Sequence, residues 1–424
     1  AQALKLFQST EVLRSRTGNI NLIVNTHNAI LDRLLPVERP LVMPYLSRFD
    51  VVVECGITSL TWKSDGIDEY LSECMNQITK VDGILVTIKN NFATIQDIIA
   101  SWNSPLFERK NKPVEKEDYE HSCKNFCSKR MAAIKDSGKQ IHSLVRNTNK
   151  VLCISKASAD WKSYLSFINA LIIEGLSAAV VTSLEFLLRQ MDSGTISRTG
   201  RLPMLRVVMD LQRDSSGAGG RKDVEEHPYL GFTPRLARIR SNLVGGISSK
   251  SQSGVRELVD DMIESMMQIS TLVKRLDSDG TYMKELHVDP KVKGYISLLH
   301  GIMEDNESQS LLLQRQFEEY SHLWSVHLPS YFSTFASEAT ITTESGAVIL
   351  NLNKYEALIE KCRKVQDAVA TFESFVDIGW LRIDTNPAKQ QISMCASTWI
   401  DTIKTYVLNS VVKTMSVHHN FVAA

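Results

Sequence analysis

Three segments of this chain repeat apolar residues at alternating steps of three and four, and this spacing constrains the fold more than any other feature. It puts one continuous apolar stripe along one side of an α-helix. Additional apolar neighbours such as Ile84, Val86 and Ile98 widen the first stripe, which favours bundle helices over an intermolecular coiled coil but leaves the coiled coil open. The three stripes are formed by Ile78, Val81, Leu85, Ile88, Phe92, Ile95, Ile99 and Trp102; by Val255, Val259, Met262, Met266, Ile269, Val273 and Leu276; and by Tyr355, Leu358, Cys362, Val365, Val369, Phe372 and Val376.

A fourth helical segment is apolar on more than one side, which predicts a helix at the centre of its bundle. Its main stripe contains Trp161, Leu165, Ile168, Ile172, Leu176, Ala179 and Leu187, and off-stripe positions hold Leu171, Ile173, Val180, Val181 and Leu184. Small residues around Gly175 would let a neighbouring helix approach closely, although a glycine inside a helix costs about 1 kcal/mol of helix propensity. We expect this helix to be packed rather than exposed.

The composition agrees with long, uninterrupted elements. The chain has only 20 glycines and 11 prolines in 424 residues, so few residues break a helix. Its 48 basic and 48 acidic side chains give a formal net charge of zero, which argues against a strongly basic nucleic-acid-binding protein. The seven cysteines are dispersed without a framework spacing, which suggests a reducing compartment.

The most apolar stretch, residues 170–188, contains Glu174 and Glu185. A membrane-spanning helix needs about 20 nearly uncharged residues, so the sequence predicts no transmembrane span. Apolar periodicity begins immediately after Ala1, without the basic-then-apolar layout of a signal peptide. We therefore expect the chain to be an excerpt from a longer protein.

The breaks between the helical patterns suggest the domain organisation. Residues 104–118 form a mixed-charge connection with proline, and residues 214–226 are glycine-rich and flexible by composition. Residues 202–211 are a candidate strand or an extended strap, and residues 338–350 read as a small hairpin. The predicted fold is all-α: an elongated series of stacked helical bundles with a few short strands or straps. The predicted domains are a bundle at 1–105, a bundle ending in a strap at 106–212, a linker at 213–227, a bundle at 228–335, and a hairpin plus bundle at 336–424.

No motif for nucleotide or hydrolase chemistry is complete. Gly138-Lys139 is followed by Gln140, so a phosphate-binding P-loop is absent, and the glycines of residues 217–220 do not form a dinucleotide fingerprint. Ser248 lacks the second glycine and the preceding strand of a nucleophile elbow. We expect no cofactor.

Candidate metal ligands and catalytic bases are equally sparse. His121, Cys123 and Cys127 are the only compact group, and they lack the fourth ligand of a structural zinc site, so packed or surface thiols are the preferred interpretation. His418-His419 has no companion motif, and the Asp289-Pro290 pair after His287 is first a turn signal. The sequence therefore predicts no metal and no enzyme, and leaves helix surfaces as the functional material.

Several short sequence motifs nevertheless resemble those of a known protein family. The segment Glu54-Cys55-Gly56-Ile57-Thr58-Ser59-Leu60-Thr61-Trp62-Lys63-Ser64 resembles the signature of the dynein heavy-chain tail, with Cys55 where that family commonly has proline. Further matches follow in family order: Trp161, Tyr164, Ile168-Asn169, Gly175-Leu176, Ser183-Leu184 and Phe186-Leu187; Phe232-Thr233-Pro234 and a long helix to Leu276; and Ile378-Gly379-Trp380-Leu381-Arg382-Ile383-Asp384 with Pro387, Lys389 and Trp399. The chain is more similar to axonemal than to cytoplasmic heavy chains, and an outer-arm chain is the preferred subtype.

The resemblance implies a scaffold segment of a ciliary or flagellar motor complex. Its expected partners are other dynein heavy chains, intermediate chains, light chains and docking proteins on the doublet microtubule, with no nucleic acid and no membrane. It would be located in the cytoplasm, on the cytoskeleton of the axoneme, and the motor's ATP chemistry would lie elsewhere in the full chain. The residues expected to define the fold, rather than to catalyse, are Gly56, Leu60, Trp62, Trp161, Gly175, Leu176 and Leu184.

Two other functions stay open at this level. A generic helical scaffold, such as a tethering-complex or solenoid adaptor subunit, would share the bundles, but it would show a repeat period, and none is present in the sequence. An enzyme with a novel site would require a concave pocket that gathers titratable groups with perturbed pKa values.

Overall fold

The computed structural model describes residues 2–62, 64–108, 112–192, 202–213, 228–236, 254–342 and 348–423. The chain divides into two compact units. Unit 1 comprises residues 1–107, 126–183 and 264–294, and unit 2 comprises residues 108–125, 184–263 and 295–424. The predicted linker at 213–227 lies outside the described residues except for Arg213.

Long helices account for most of the structure, which confirms the predicted, mostly helical fold class. The elongated arrangement and the domain boundaries stay predictions. The helices are α1 (Gln2–Arg33), α2 (Arg39–Ser59), α3 (Ile67–Ser101), α4 (Lys116–Leu152), α5 (Ala159–Met191), α6 (Val255–Met267), α7 (Ile269–Leu272), α8 (Met283–Val288), α9 (Pro290–Glu318), α10 (Leu328–Glu338), α11 (Leu352–Thr371) and α12 (Asn386–Ala423).

Unit 1 is built by packing helix against helix. The stripe predicted on α3 is buried from Ile78 to Ile95, and α3 packs against both α1 and α2. The acidic first turn of α3, Asp68 and Glu69, lies at the end of the helix where the backbone N–H groups favour negative charge. The stripe therefore serves an intramolecular bundle in this unit.

Unit 2 adds a sheet that the sequence analysis only partly anticipated. The strand candidate is a strand, β1 (Leu205–Gln212), and its partners are β2 (Tyr229–Thr233), β5 (Phe375–Ile378) and β6 (Leu381–Asp384), in the order β2-β1-β6-β5. β1 runs antiparallel to β2 and parallel to β6, with Val207 opposite Ile383. β5 and β6 pair with each other as a hairpin that was not predicted. Each has only four residues, which is too short for the alternation of a β-strand to be recognised in the sequence.

The predicted hairpin near residue 345 is confirmed by two short antiparallel strands, β3 (Thr340–Thr342) and β4 (Val348–Leu350). Its turn, which includes Gly346, lies outside the described residues. Nearby, side chains of α10, α11 and α12, with the residue that follows α10, form a small core of Phe332, Ala336, Ala339, Tyr355 and Ile403.

Two predicted helices end earlier than their apolar stripes. The helix expected to continue to Leu276 is interrupted at Gln268, and α7 ends at Leu272. On the third stripe, Phe372 follows the end of α11 and Val376 lies in β5. Beyond these helix ends, Val273 is still buried and Phe372 and Val376 are partly buried, so the extended segments after the helices also contribute apolar contacts.

α5 is long and apolar enough to cross a membrane by length and composition, contrary to the expectation drawn from its two glutamates. Its apolar side chains are packed in the protein instead: Ile168, Ile172, Leu176 and Leu184 are fully buried. A core helix passes the same length and composition test. Its burial on several sides agrees with the predicted central position of this helix.

Candidate interaction surface

The turn between α2 and α3 carries the first part of the predicted signature, and Gly56 determines how closely the two helices meet there. A Cβ atom on Gly56 would lie 2.0 Å from the Tyr70 ring, so no larger residue fits without moving that ring. The Tyr70 hydroxyl donates to the Val53 carbonyl oxygen at 3.1 Å. Burial raises the pKa of Tyr70 to about 12, which keeps the hydroxyl protonated and able to donate.

Leu60 ends α2 and starts a tight, hydrogen-bonded turn. Its N–H donates to the Gly56 carbonyl oxygen at 2.9 Å. The Ser64 hydroxyl then accepts from the Thr61 N–H at 2.9 Å, and the Ser64 N–H donates back to the Thr61 carbonyl oxygen at 2.9 Å. Gly66 has φ = 90°, a left-handed conformation that favours glycine, and α3 begins directly after it. Lys63 lies outside the described residues.

An arginine of α1 fastens this turn to the first helix. Arg16 donates from Nε to Asp68 Oδ1 at 2.8 Å and from Nη2 to Asp68 Oδ2 at 2.6 Å. Its Nη1 donates to the Trp62 carbonyl oxygen at 2.9 Å. These bonds hold the pKa of the Asp68 carboxyl below its usual range, chiefly through the hydrogen bonds from Arg16.

The Trp62 side chain does not lie in the core, although Trp62 is among the residues expected to define the fold. It is 49% exposed, and the structure uses only its backbone carbonyl in the arginine clamp. Other large apolar side chains of α1 and α2 are exposed as well. Together with Trp62 they form the set called here the α1–α2 apolar surface: Leu6, Phe7, Val12, Leu13, Leu22, Val24, Val51 and Ile57.

The second part of the signature lies on α5 and determines the contact between α3 and α5. A Cβ atom on Gly175 would be 2.3 Å from Ile99 Cγ2 and 3.3 Å from the Trp102 ring. The glycine therefore permits the close approach that its small neighbours predict. Leu176 and Leu184 are fully buried, and the buried Trp161 stacks on Tyr164 with ring centroids 5.4 Å apart.

Unit 1 also contains an ion pair whose carboxylate is buried and which no sequence pattern indicated. Lys89 of α3 donates to Glu38 Oε2, which also accepts from the Leu35 N–H at 2.9 Å. Glu38 is 1% exposed and Lys89 is 23% exposed. Within the described ranges the other carboxylate oxygen, Oε1, has no hydrogen-bond partner. No local pattern distinguishes these two residues from the many surface charges, because the pairing depends on tertiary packing.

The candidate chemical groups of the sequence are not brought together. Cys123 and Cys127 are buried thiols, whereas His121 on the same helix is exposed. His287 Nδ1 lies 2.8 Å from the Met283 carbonyl oxygen, and Asp289 accepts from the Ser177 hydroxyl, so the two do not form a base and orienting acid. Among the residues that the structure describes, no group of three or more metal-ligating side chains occurs. Ser248 and the glycines of 217–220 lie outside those residues, and the His418 and His419 side chains are not described.

In unit 2, Gly379 fixes the β5–β6 turn. Its φ is 53°, and a Cβ atom there would lie 2.5 Å from Asn306 Nδ2 and 2.7 Å from the Met191 carbonyl oxygen. Trp380, the next residue, is buried, and its carbonyl oxygen accepts from the Met204 and Leu205 N–H groups at 2.8 and 3.1 Å. The residues of this turn thus act by joining the strands of the sheet.

Comparison with known proteins gives a consistent result along the chain. Residues 1–70 match the family described as dynein heavy chain, N-terminal region 1. Over 423 residues, 99% of this chain, it is 29% identical to the dynein beta chain of the flagellar outer arm of Chlamydomonas reinhardtii. It is 25% identical to the mouse dynein axonemal heavy chain 17 over 98% of the chain, and 24% identical to the ciliary dynein beta chain of Heliocidaris crassispina over 99%. The chain spans about 9% of the length of each of these relatives.

Proposed function

We propose a scaffold function for this chain, on the premise that it is homologous to the N-terminal tail region of the axonemal dynein heavy chains. The observation that carries the proposal is the alignment with an outer-arm beta chain over 99% of the chain. The chain would form part of the tail of a heavy chain in the axoneme of a cilium or flagellum. There it would hold protein partners while the motor reaction takes place in another part of the full chain.

The proposed partners are other heavy chains, intermediate chains, light chains and docking proteins of the doublet microtubule. The α1–α2 apolar surface supports this assignment, because large apolar side chains that stay exposed on α1 and α2 offer apolar area that a protein partner would cover. The Arg16 clamp supports it further. It fixes the turn that presents Trp62, so that this aromatic side chain would be held in place before a partner binds, at a lower entropic cost.

An affinity experiment with flagellar proteins tests the scaffold function. The purified chain is immobilised and incubated with a salt extract of demembranated flagella, and the bound proteins are identified by mass spectrometry. We expect dynein intermediate or heavy chains to be enriched. Enrichment of none of the dynein subunits would contradict the proposal.

Two variants locate the surface that is responsible. The Ile57→Glu/Trp62→Ser double variant removes exposed apolar area at the turn and should lower the recovered dynein subunits at least about tenfold, as expected when an apolar anchor is lost from an interface. Val86→Glu changes another exposed apolar residue, on α3, and should leave recovery unchanged. Equal losses in both variants would show that the α1–α2 apolar surface has no special role.

The absence of catalysis is part of the same proposal. We expect the purified chain neither to bind nor to hydrolyse ATP, since no phosphate-binding motif occurs in its sequence. Equilibrium dialysis with labelled ATP measures the binding. One mole of ATP retained per mole of chain would overturn the proposal.

A further inference from the structure

A cleft in unit 1 combines an apolar floor with a rim of positive charges. It has a volume of 460 Å³ and lies among α4, the α4–α5 connection, the start of α5 and the segment after α7. Its floor contains Val145, Trp161 and Leu165, all of which are buried. The cleft is thus able to cover an apolar side chain of a bound molecule.

Three exposed cations line the cleft, and each comes from a different segment. Arg146 is on α4, Lys156 is in the connection, and Lys162 is in the first turn of α5. In the described part of the chain, none of the three has a carboxylate within ion-pair distance, whereas Arg275 beside the cleft is paired with Asp277 and Glu285. Their charges therefore stay available to a bound anion.

The acidic residue of the cleft does not cancel these charges. Asp277 accepts from Arg275 Nε at 2.9 Å and from Arg275 Nη2 at 3.3 Å. The hydrogen bonds from Arg275 lower the pKa of the Asp277 carboxyl, which stays ionised and paired. Arg275 also donates to Glu285 Oε1, so Arg275, Asp277 and Glu285 together carry one net negative charge. The three cations Arg146, Lys156 and Lys162 outweigh it, so the cleft as a whole is positive.

The walls of the cleft are held by hydrogen bonds rather than left loose. His142 Nε2 lies 3.0 Å from the Lys274 carbonyl oxygen, which links α4 to the segment after α7. Asn149 Nδ2 donates to the Ile154 carbonyl oxygen at 3.1 Å and fixes the connection that carries Lys156. A cleft whose walls are set before binding loses less entropy when a ligand enters.

We propose that this cleft binds an acidic peptide segment of a partner protein, with an apolar side chain on the floor and carboxylates at Arg146, Lys156 and Lys162. A single inorganic anion would use one or two of the cations and none of the apolar floor. A single-stranded nucleic acid would be expected to stack its bases on an exposed aromatic face, whereas Trp161 is buried against Tyr164. The proposal refines the scaffold function, on which it rests for the nature of the partner.

Fluorescence anisotropy with defined peptides tests the charge complementarity. The probe is a fluorescein-labelled peptide of about twelve residues built from Glu-Leu-Glu-Ser repeats, and the matched control peptide has Gln at every Glu. We expect the acidic peptide to bind at least about tenfold more tightly, with an affinity that falls as salt is added. Equal binding of both peptides would overturn the proposal.

Charge reversal in the cleft tests its location. Lys156→Glu/Lys162→Glu should weaken binding of the acidic peptide at least about tenfold, because two attractive contacts become repulsive. Lys80→Glu, an exposed site on α3 outside the cleft, is the matched control and should change the affinity less than about twofold. A milder variant, Lys156→Gln/Lys162→Gln, with the same circular dichroism spectrum as the parent chain, guards against a folding defect. Unchanged peptide binding in this folded variant would refute the location.

Two further outcomes separate this inference from its alternatives. Displacement of the peptide by inorganic phosphate at the same concentration as the peptide would assign the cleft to a small anion and overturn the proposal. If the parent chain does not bind the acidic peptide but recovers dynein subunits normally, only the acidic-peptide proposal is rejected and the scaffold function stands. If the chain binds the acidic peptide normally but recovers no dynein subunits, the scaffold function is rejected and the cleft remains a site for acidic peptides.

Discussion

Unit 1 and unit 2 are both mostly helical, but their cores are assembled from contacts of different range. In unit 1, α1, α2 and α3 follow one another in the sequence, and both α1 and α2 pack on α3. In unit 2, the sheet joins β1 to β6, with Leu205 opposite Leu381. Contacts between consecutive helices close short loops, whereas this strand pairing closes a long one and depends on the rest of the unit for its register.

The two units also treat charge differently. Unit 1 buries the Glu38–Lys89 pair, in which the carboxylate is 1% exposed. Unit 2 pairs Asp384, 7% exposed, with Arg206, which is 43% exposed. A charge left unpaired in the interior is costly, whereas a partner that reaches water is easily replaced by solvent. The comparison predicts that the units respond unequally to the loss of one cation.

The largest effect is expected from Lys89→Met in unit 1. It leaves the Glu38 carboxylate buried without its cation and should lower the free energy of unfolding of unit 1 by about 3–5 kcal/mol. Urea unfolding followed by hydrogen exchange and mass spectrometry measures the loss unit by unit. The effect should appear in residues 67–101 and their neighbours.

Two controls make this result specific. Adding Glu38→Gln to Lys89→Met removes the buried charge and should recover most of the loss. In unit 2, Arg206→Gln should cost about 1 kcal/mol or less, because Asp384 Oδ1 still accepts from the Asn386 N–H and Nδ2 at 3.1 Å. If Lys89→Met and Arg206→Gln lower the free energy of unfolding equally, the predicted difference between the two units is wrong.

The next largest effect is expected at Gly379 in unit 2. Gly379→Ala places a Cβ atom at φ = 53° and 2.7 Å from a backbone oxygen, that of Met191. The left-handed conformation costs about 1–2 kcal/mol and the crowding about 1–3 kcal/mol, so a loss of about 2–5 kcal/mol is expected. Urea unfolding measures the loss, and hydrogen exchange of this variant should show reduced protection of the amides in both β5 and β6. A loss below about 1 kcal/mol would mean that the turn adapts.

A smaller effect is expected at Gly175 in unit 1, where the obstacle is a side chain. Gly175→Ala brings a methyl group to 2.3 Å from Ile99 Cγ2 and should cost about 1–3 kcal/mol through overpacking. Ile99→Ala removes that methyl, so the double variant should lose less than the sum of the two single losses. Strict additivity in urea unfolding would show that the α3–α5 contact does not depend on this pair.

These contrasts also explain what could be predicted from the sequence. The stripe on α3 and the many-sided apolarity of α5 are local patterns, and both helices were predicted from them. The strands β5 and β6 gain their stability from pairing with each other and with β1, so no pattern within four residues reveals them. The helix end at Gln268 was missed for a related reason, since Val273 continues the apolar spacing although it lies beyond α7.

Among the interaction residues, too, some could be predicted from local sequence and others could not. The close approach at Gly175 was predictable, because a glycine amid small residues in an apolar helix has few other uses. The exposure of Trp62 was not, since a tryptophan in a signature is expected to pack. The charged rim of the cleft was not recognised either, because Arg146, Lys156 and Lys162 look like ordinary solvated charges until the fold brings their segments together.

The smallest effect is expected when either of two arginine–aspartate clamps, one in each unit, is removed. In unit 1, Arg16 and Asp68 are far apart in sequence and join α1 to the turn before α3. In unit 2, Arg382 donates to Asp377 across the β5–β6 hairpin at 2.7 Å, where the strand ladder already holds the two residues together. Arg16→Gln should therefore increase hydrogen exchange in α1, whereas Arg382→Gln should leave the exchange of β5 and β6 nearly unchanged.

The Arg16 effect should depend on pH in a defined direction. Because the pKa of Asp68 is lower in the folded chain than in the unfolded one, its ionised form contributes stability at pH values above the unfolded pKa of about 3.9. That contribution is lost as the pH falls through the folded pKa, when the carboxyl gains a proton and the clamp loses its charge. The difference in melting temperature between the parent chain and Arg16→Gln should be constant from neutral pH to about pH 5 and shrink below about pH 4. A difference that stays constant down to pH 3 would show that Arg16 acts through the Trp62 carbonyl alone and not through Asp68.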